Sequence, residues 1–407
     1  MIMDQWKYFE RYAYGPPIFP EITPPTDTEL IVVLPSYKEP QLLQAVRSLT
    51  ACKAPGFKVW VLIVVNEPEQ AEEAATDLNQ QAIRQLDQLE IPDFMELVVY
   101  HAVLPRKKAG VGLARKLGMD EAARWFNEMG KDGIITCYDA DCLCDPRFFQ
   151  VIEETFRQQQ LGAGVIFYEH PLSNNEIIQY ELFLRYHIDA LRFAEFPYAY
   201  QTLGSCISVR SSVYQKHGGM NTRKAGEDFY FLHKIIPHCK FGEINNTMIY
   251  PSARESDRVP FGTGIALAKI SQLEQYEVYA PESFVDLKAL FSQVEQLHEH
   301  QEVNLPETIV AFHEEHGFEV ALKEMHRNAS NRETFKKRFF SWWDAFRALK
   351  YVHFTRDHHY PNIPLEEAIQ WLDVQYWKLG LEGTMEDKLV EIRDWDQGFD
   401  KLSLTPK

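Results

Sequence analysis

The chain has 407 residues, of which 45% are hydrophobic and 25% are charged, a balance typical of globular domains. Its 59 acidic residues outnumber 42 basic ones and leave a net charge of −17. This acidity excludes DNA or RNA as the main partner, because nucleic-acid binders usually present a basic face. No apolar run is long enough for a spanning helix, and the N-terminus lacks the apolar core of a signal peptide. Six scattered cysteines favour reduced thiols, and we expect a cytoplasmic protein.

Strand and helix patterns alternate after a proline- and aromatic-rich lead-in at residues 1–28. Short apolar runs predict strands at 30–34, 59–65, 95–100 and 134–138. Amphipathic stretches predict helices at 40–50, 69–89 and 111–129 between them. This order is typical of an α/β fold with a mostly parallel sheet and crossover helices on its faces.

The alternation continues for a further hundred residues and then changes character. After a helix beyond residue 146, the pattern predicts strands at 164–168 and 205–209 with a helix at 177–193. Beyond residue 262, helical segments are expected at 262–278, 283–300, 305–327, 331–354 and 364–380. We therefore predict an α/β domain over residues 29–260 and a mainly helical region over residues 261–407.

Two carboxylates, Asp139 and Asp141, follow the predicted strand at 134–138. Ligands of open α/β sheets bind in the crevice beyond the carboxyl ends of the strands. Two acids that close together repel each other unless a cation or hydrogen bonds offset the repulsion. Mg²⁺ and Mn²⁺ prefer carboxylate oxygens and share their coordination with substrate phosphates. The pair predicts a metal site for a nucleotide diphosphate, against the alternative of two solvated turn aspartates.

Four landmarks resemble the family 2 glycosyltransferases, in the order and at the spacing of that family. Residues 35–39 (Pro-Ser-Tyr-Lys-Glu) are similar to its turn after the first strand. Residues 108–119 resemble the start of its third helix, and 139–141 resemble its Asp-x-Asp metal motif. Residues 218–220 (Gly-Gly-Met) and 226–228 (Gly-Glu-Asp) resemble its acceptor side. The resemblance covers about residues 29–250 and omits the helical C-terminal region.

The resemblance implies a GT-A fold, which is Rossmann-like with a mostly parallel sheet flanked by helices, here with a helical C-terminal extension. It also implies a metal-dependent, inverting glycosyltransferase of the hexosyltransferase class. Such an enzyme moves a single sugar from a nucleotide-diphosphate donor to a hydroxyl of a saccharide, lipid or small-molecule acceptor, with Mn²⁺ or Mg²⁺ as cofactor. The Gln-x-x-Arg-Trp motif of processive members is missing, so a polymerising enzyme is not expected.

Site residues follow from matching the family motifs to this sequence. Asp228 is the expected general base, since an inverting displacement uses one carboxylate to take the acceptor proton. Glu227 and Gly219 are expected on the acceptor side, and Asp139 and Asp141 at the metal. The expected nucleotide-sugar contacts are Pro35, Tyr37, Glu39, Asn66, Lys108, Arg115 and Asp139.

Three of these expectations come with alternatives. Asn66 stands where the family usually has the aspartate that meets the base, and its amide can still hydrogen-bond a base edge. Lys108 belongs to a basic run at residues 106–108, which either meets a phosphate or sugar at a helix start or is a solvated charge run. Arg254 and Arg258 either belong to a lid over the pyrophosphate or to an ordinary linker.

Other functions stay open on the sequence. A nucleotidyltransferase of similar fold would use the same donor motifs, and a degenerate nucleotide-sugar-binding protein would explain the change at Asn66. Aromatic and basic residues alternate at helical spacing over residues 335–350, which indicates either a core-facing helix or an interfacial helix on an anionic membrane. Peripheral contact with the inner membrane face is therefore kept as an alternative.

Overall fold

The computed structural model describes residues 6–254 and 262–398. Its strands in chain order are β1 (Thr28–Ser36), β2 (Lys58–Pro68), β3 (Met95–Leu104), β4 (Ile134–Cys137), β5 (Leu143–Cys144), β6 (Ala163–Tyr168), β7 (Ile207–Arg210), β8 (Phe241–Tyr250), β9 (Glu277–Val278) and β10 (Ile363–Pro364). Short 3-10 turns cover Gly204–Cys206 and Ile236–His238, and a π-helical turn covers Asp373–Trp377.

The helices of the described residues fall between and after these strands. They are α1 (Trp6–Arg11), α2 (Leu42–Thr50), α3 (Glu73–Leu86), α4 (Val111–Glu128), α5 (Phe148–Gln159), α6 (Asn175–Phe193), α7 (Ser211–Lys216), α8 (Glu227–Ile235), α9 (Thr263–Ile270), α10 (Pro281–Phe291), α11 (Val294–His298), α12 (Glu307–Glu315), α13 (Phe318–Asn328), α14 (Arg332–Trp342), α15 (Ala345–His358), α16 (Leu365–Leu372) and α17 (Met385–Gly398).

Eight strands form one mixed sheet in the order β3-β2-β1-β4-β7-β6-β8-β5. The pairs β3–β2, β2–β1, β1–β4 and β6–β8 are parallel, whereas β7 runs antiparallel to both of its neighbours and β5 runs antiparallel to β8. The predicted α/β class with a mostly parallel sheet and a helical C-terminal region is therefore confirmed, with β7 as an antiparallel insertion.

Burial explains the order of the first three strands. Almost every residue of β1 and β2 is buried, as expected for central parallel strands that helices cover on both faces. β3 lies at the sheet edge and is less buried, with only Met95, Ala102 and Leu104 fully covered. α4 packs on β1 and β2. Gly118 allows this close approach, since a Cβ there would lie 2.5 Å from Cγ1 of Val33.

Helix α4 is buried along most of its length even though it carries several charges. These charges hold the N-terminal lead-in. Asp120 accepts hydrogen bonds from the hydroxyls of Tyr8 (2.5 Å) and Tyr214 (2.6 Å), and Glu121 accepts from the backbone N–H groups of Ile18 and Phe19. Buried charges need such partners because desolvating an unpaired charge is costly. The irregular lead-in is thus fixed to the central helix by acids rather than by secondary structure.

The described residues divide into two compact units. The first contains the described parts of residues 1–171 and 202–262 together with residues 397 and 398, and the second contains residues 172–201 and 263–396. The second unit is helical apart from the short β9–β10 pair. Its core includes buried ion pairs in which Arg185 joins Glu181 of α6 to Asp396 of α17.

Several strands were not expected from the sequence. Strand β8 pairs in parallel with β6 and was missed because Asn245, Asn246 and Thr247 interrupt its apolar pattern. β9 and β10 have two residues each, too few for a periodic signal. In the helical unit, Phe335 and Phe339 are fully buried. None of the described helices is long and apolar enough to cross a membrane.

Candidate functional site

The carboxyl ends of three neighbouring parallel strands meet at one edge of the sheet. β1 ends at Ser36, β4 ends just before Tyr138 and Asp139, and β2 continues past Asn66. The chain reverses direction at β7, so the turn that precedes β7 comes to this same edge. Some of the sequence-predicted residues, among them Arg115, Asp139 and Glu227, therefore meet here.

Arg115, the fifth residue of α4, is the centre of the site. Its side chain is 2% exposed, and its Nη2 lies 2.5 Å from Oδ1 of Asp139. Its Nη1 donates to Oε1 of Glu227, the first residue of α8. One buried guanidinium thus connects the predicted metal loop to the predicted acceptor helix, and its planar fork suits two separate carboxylates better than an ammonium group would.

Burial and mutual repulsion set the protonation of these groups. Burial lowers the pKa of Arg115, but Asp139 and Glu227 more than compensate, so that its pKa is above the ordinary value. Burial raises the pKa of Glu227, and it also raises the pKa of Asp228 although Arg115 and the Phe229 N–H act in the opposite direction. The site therefore holds two acids with raised pKa values beside a permanent cation, a combination found at catalytic sites.

Two glycines let the backbone approach this cluster. A Cβ on Gly112 would lie 2.1 Å from the carbonyl oxygen of Arg223, so only glycine lets α4 contact the loop before α8. A Cβ on Gly204 would lie 2.7 Å from Nη1 of Arg115 and 3.0 Å from Oδ2 of Asp228. Gly204 was not selected by sequence reasoning, because a single glycine before a strand has no distinguishing motif.

A second guanidinium joins another pair of predicted residues. Nη2 of Arg254 donates to Oε2 of Glu39 and lies 3.8 Å from Oδ2 of Asp141. The side chain of Glu39 is fully buried, whereas those of Arg254 and Asp141 are 31% and 25% exposed. The structure therefore places Glu39, Arg254 and Asp141 together, and Arg258 lies outside the described residues.

Asn79 of α3 organises the end of β2. Its Oδ1 accepts from the backbone N–H of Lys38 (3.0 Å), and its Nδ2 donates to Oε2 of Glu67 (3.0 Å) and, at 3.4 Å, to the carbonyl oxygen of Asn66. Asn66 and Glu67 are both buried. Sequence reasoning missed Asn79, which lies in a polar helix with no local signal that it reaches back to the sheet.

The other predicted residues take varied positions. Pro35 is buried in β1 opposite Val64, and Tyr37 follows at the strand end. Lys108 is exposed, with its Nζ 5.2 Å from the centre of the Tyr14 ring. Gly219 has a φ of +65° and packs against Tyr8 and Tyr214, where a Cβ would meet the Tyr8 hydroxyl. Gly219 thus contacts the two tyrosines that donate to Asp120 of α4, rather than the residues around Arg115.

The donor set can be tested against the expected metal. No three His, Cys, Asp or Glu side chains of the described residues come together as a ready metal site. Mg²⁺ sites commonly use one or two carboxylates and complete their coordination with substrate phosphates and water. Asp141, partly exposed at the strand edge, and Asp139 fit that kind of shared site. Asp139 accepts from Arg115, and Oδ2 of Asp141 lies 3.8 Å from Nη2 of Arg254, so a cation lies near each of the two carboxylates.

Comparison with known proteins gives structural likeness only. The chain matches no protein-family model and no curated protein sequence. A crystal structure of S. aureus TarS residues 1–349 is 12% identical, with a TM-score of 0.40, over 85% of this chain and 78% of that chain. The same TarS segment in complex with UDP-GlcNAc gives 12% identity and a TM-score of 0.40, over 91% and 90%. At this level the likeness assigns no activity to the chain.

Replacing Arg115 with methionine should destabilise the protein strongly. The change leaves the buried Glu227 without its cation and also removes the ion pair with Asp139, whose side chain is 36% exposed. Breaking a buried ion pair from one side typically costs about 3–5 kcal/mol. We expect Arg115→Met to lower the free energy of unfolding by about that amount in urea denaturation. Arg115→Lys should cost less, since its charge remains although one ammonium cannot bridge both carboxylates.

Arg157→Met provides the matched control. Arg157 is 62% exposed and pairs with Glu153 on the surface of α5 at 3.1 Å. Its loss should change the free energy of unfolding by about 0.5 kcal/mol or less. A cost for Arg115→Met no larger than that of Arg157→Met would show that Arg115 does not hold the carboxylates together.

Proposed function

We propose that the protein is a glycosyltransferase that moves a single sugar from a nucleotide-diphosphate donor to a hydroxyl acceptor, with inversion at the anomeric carbon. One observation supports this most directly: Arg115 brings Asp139 of the strand-end loop and Glu227 of α8 into contact, with Asp228 beside them. A donor carboxylate and a candidate base for the acceptor are thus found at one edge of the sheet. This is the arrangement expected for in-line sugar transfer, in which the two substrates meet.

On the donor side, we propose that Asp141 and Asp139 hold Mn²⁺ or Mg²⁺ together with the diphosphate. When bound, the metal would supply Lewis-acid stabilisation of the charge on the leaving phosphate. Arg254, which already lies near Asp141, is the proposed cation for the pyrophosphate, since a guanidinium can bind phosphate oxygens in a bidentate manner. The proposed contacts for the nucleoside are Tyr37, which directly follows β1, and Asn66, which lies near the end of β2.

On the acceptor side, we propose Asp228 as the general base. Its raised pKa makes its carboxylate more basic than an ordinary aspartate, which favours proton transfer from a hydroxyl near neutral pH. Its Oδ1 accepts from the Phe229 N–H at 2.7 Å, which fixes the carboxylate in position. Glu227, whose carboxylate pairs with Arg115, is proposed to hold the start of α8 in position rather than to take the proton.

Binding of a donor diphosphate is the first test. A thermal-shift panel of UDP, GDP, TDP and CDP, each with and without Mn²⁺, should reveal at least one diphosphate that raises the melting temperature. A ligand that binds only the folded state stabilises it by mass action. Mn²⁺ should increase this rise in melting temperature further, and the Asp141→Asn variant should show no additional rise with Mn²⁺.

Glu96→Gln serves as the charge-matched control for this panel, because Glu96 is exposed at the start of β3, away from the strand ends. It should leave the Mn²⁺-dependent shift intact. If no diphosphate stabilises the protein under any metal condition, the proposed function is wrong.

Substitution of Asp228 separates catalysis from binding. Asp228→Asn should reduce sugar transfer by about 10²–10⁴-fold, the usual contribution of a general base, and should leave the donor thermal shift unchanged. In the wild type, kcat/KM should fall as the pH is lowered through the raised pKa of Asp228, above the value of about 3.9 for an ordinary aspartate. The variant should lose this acid limb, because its amide does not titrate.

The product identifies the reaction type. Release of a nucleoside diphosphate from the donor indicates sugar transfer, whereas release of pyrophosphate from a nucleoside triphosphate would indicate a nucleotidyltransferase. Full transfer activity in Asp228→Asn with an unchanged pH profile would assign the base to another group.

A further inference from the structure

Two loops place five exposed basic side chains at the edge of the candidate site. Residues 105–110 lead into α4 and residues 221–226 lead into α8. Together they contribute what we term the cationic edge: Arg106, Lys107, Lys108, Arg223 and Lys224. The sequence indicates only the first three as a run, and the fold adds the other two. Such a concentration is unexpected in a chain with a net charge of −17.

Direct contacts hold the two loops together. Nζ of Lys224 donates to the carbonyl oxygen of Arg106 at 3.1 Å. A Cβ on Gly110 would lie 3.0 Å from Cα of Lys224, and Gly112 contacts the backbone of Arg223. The cations are therefore grouped by backbone packing and not by chance conformations of long side chains.

The cationic edge has no acidic partner in the part of the chain that the structure describes, since none of its members forms an ion pair there. Aromatic rings provide the remaining order, with Arg223 stacked 3.7 Å from the centre of the Tyr230 ring. The five positive charges repel one another, and a bound anion would relieve this repulsion. The cationic edge therefore favours the binding of an anion.

The position of the cationic edge relates it to the acceptor rather than to the donor. Residues 223 and 224 precede Glu227 and Asp228 by three to five positions, and Glu227 begins α8. The side chain of Glu227 lies against Gly112, whose Cβ would be 3.0 Å from Cβ of Glu227. A molecule bound across the two loops would therefore place its next few atoms beside the proposed base.

We propose that the cationic edge binds a phosphate group of the acceptor, next to the hydroxyl that receives the sugar. This inference rests on the proposed function, since it names the class of acceptor for the same site. A phosphate offers more charge and more acceptor oxygens than one carboxylate, and guanidinium groups bind it in a bidentate manner. The acceptor is a water-soluble phosphate ester, because the acidic chain as a whole is repelled by an anionic membrane surface.

A short fluorescent linear polyphosphate is the probe for this site. Its affinity for the whole protein would be measured by fluorescence polarisation over a series of NaCl concentrations. Arg223→Gln/Lys224→Gln removes two positive charges from the edge and should weaken binding by about tenfold. The slope of log affinity against log salt should fall in magnitude by about two, one for each lost phosphate contact.

Lys216→Gln/Lys240→Gln is the matched control, with the same change in charge. Both side chains are exposed, and Lys240 lies beside Gly162 at the opposite end of β7 from Gly204. The control should bind polyphosphate like the wild type. Equal weakening in both double variants would show that only net charge matters and would overturn the proposal.

Two further probes test the chemistry of the ligand. Polyaspartate of similar length should bind more weakly than polyphosphate, and equally tight binding would contradict the choice of phosphate. Vesicles containing phosphatidylglycerol should bind no better than neutral vesicles, and selective binding to anionic vesicles that Arg223→Gln/Lys224→Gln abolishes would assign the surface to a membrane instead.

The donor panel keeps this proposal separate from the proposed function. Arg223→Gln/Lys224→Gln should retain the nucleotide-dependent thermal shift of the wild type. Loss of polyphosphate binding with a normal donor shift supports the acceptor assignment. If the wild type shows a donor shift but no polyphosphate binding, the acceptor assignment fails alone. If polyphosphate binds but no nucleotide does, the acceptor role again fails, because the proposed function on which it rests has failed.

Discussion

The candidate site depends on one buried guanidinium. Arg115 is removed from water and contacts Asp139 from the end of β4 and Glu227 from the start of α8. Glu227 is buried, burial raises its pKa, and the Arg115 cation acts in the opposite direction, so the charge of this carboxylate depends on Arg115. The charge of Arg115 therefore fixes the relative positions of a strand-end loop and a helix that are far apart in the sequence. The same close packing requires glycine at positions 112 and 204, since a side chain at either position would push these elements apart.

The guanidinium of Arg254 also lies between two carboxylates, but it is less buried than that of Arg115. Arg254 pairs with the buried Glu39 and approaches Asp141, yet about a third of its side chain is exposed. The contrast fits the roles proposed for them, in which the fully buried Arg115 holds carboxylates in place and the more exposed Arg254 binds the pyrophosphate. With the cationic edge, positive charge is placed at three points around the site in a protein that is otherwise acidic. Local cations of this kind are what an acidic chain needs if it is to bind polyanionic substrates.

Local patterns predicted most of the fold. The continuous apolar runs of β1 and β2 and the strand–helix alternation are sufficient to predict an α/β sheet, because parallel strands are buried on both faces. Strand β8 was not predicted, because three polar residues interrupt its apolar pattern and its pairing with β6 depends on the tertiary fold. In the site, the residues of short motifs, such as Asp139 and Glu227, could be selected from the sequence. Gly204, Asn79 and the joining of residues 223–224 to 106–108 could not, since these depend on which loops meet after folding.

The coupling between Asp139 and Glu227 tests the central claim most directly. The free energy of unfolding would be measured for Asp139→Asn, Glu227→Gln and the double variant. If both carboxylates share Arg115, either one can still compensate the guanidinium when the other is neutralised, whereas the double variant removes both of its ion pairs. The account predicts that the double variant is destabilised beyond the sum of the single variants by about 1 kcal/mol or more. Additivity within about 0.3–0.5 kcal/mol would show that the two residues act independently and would contradict it.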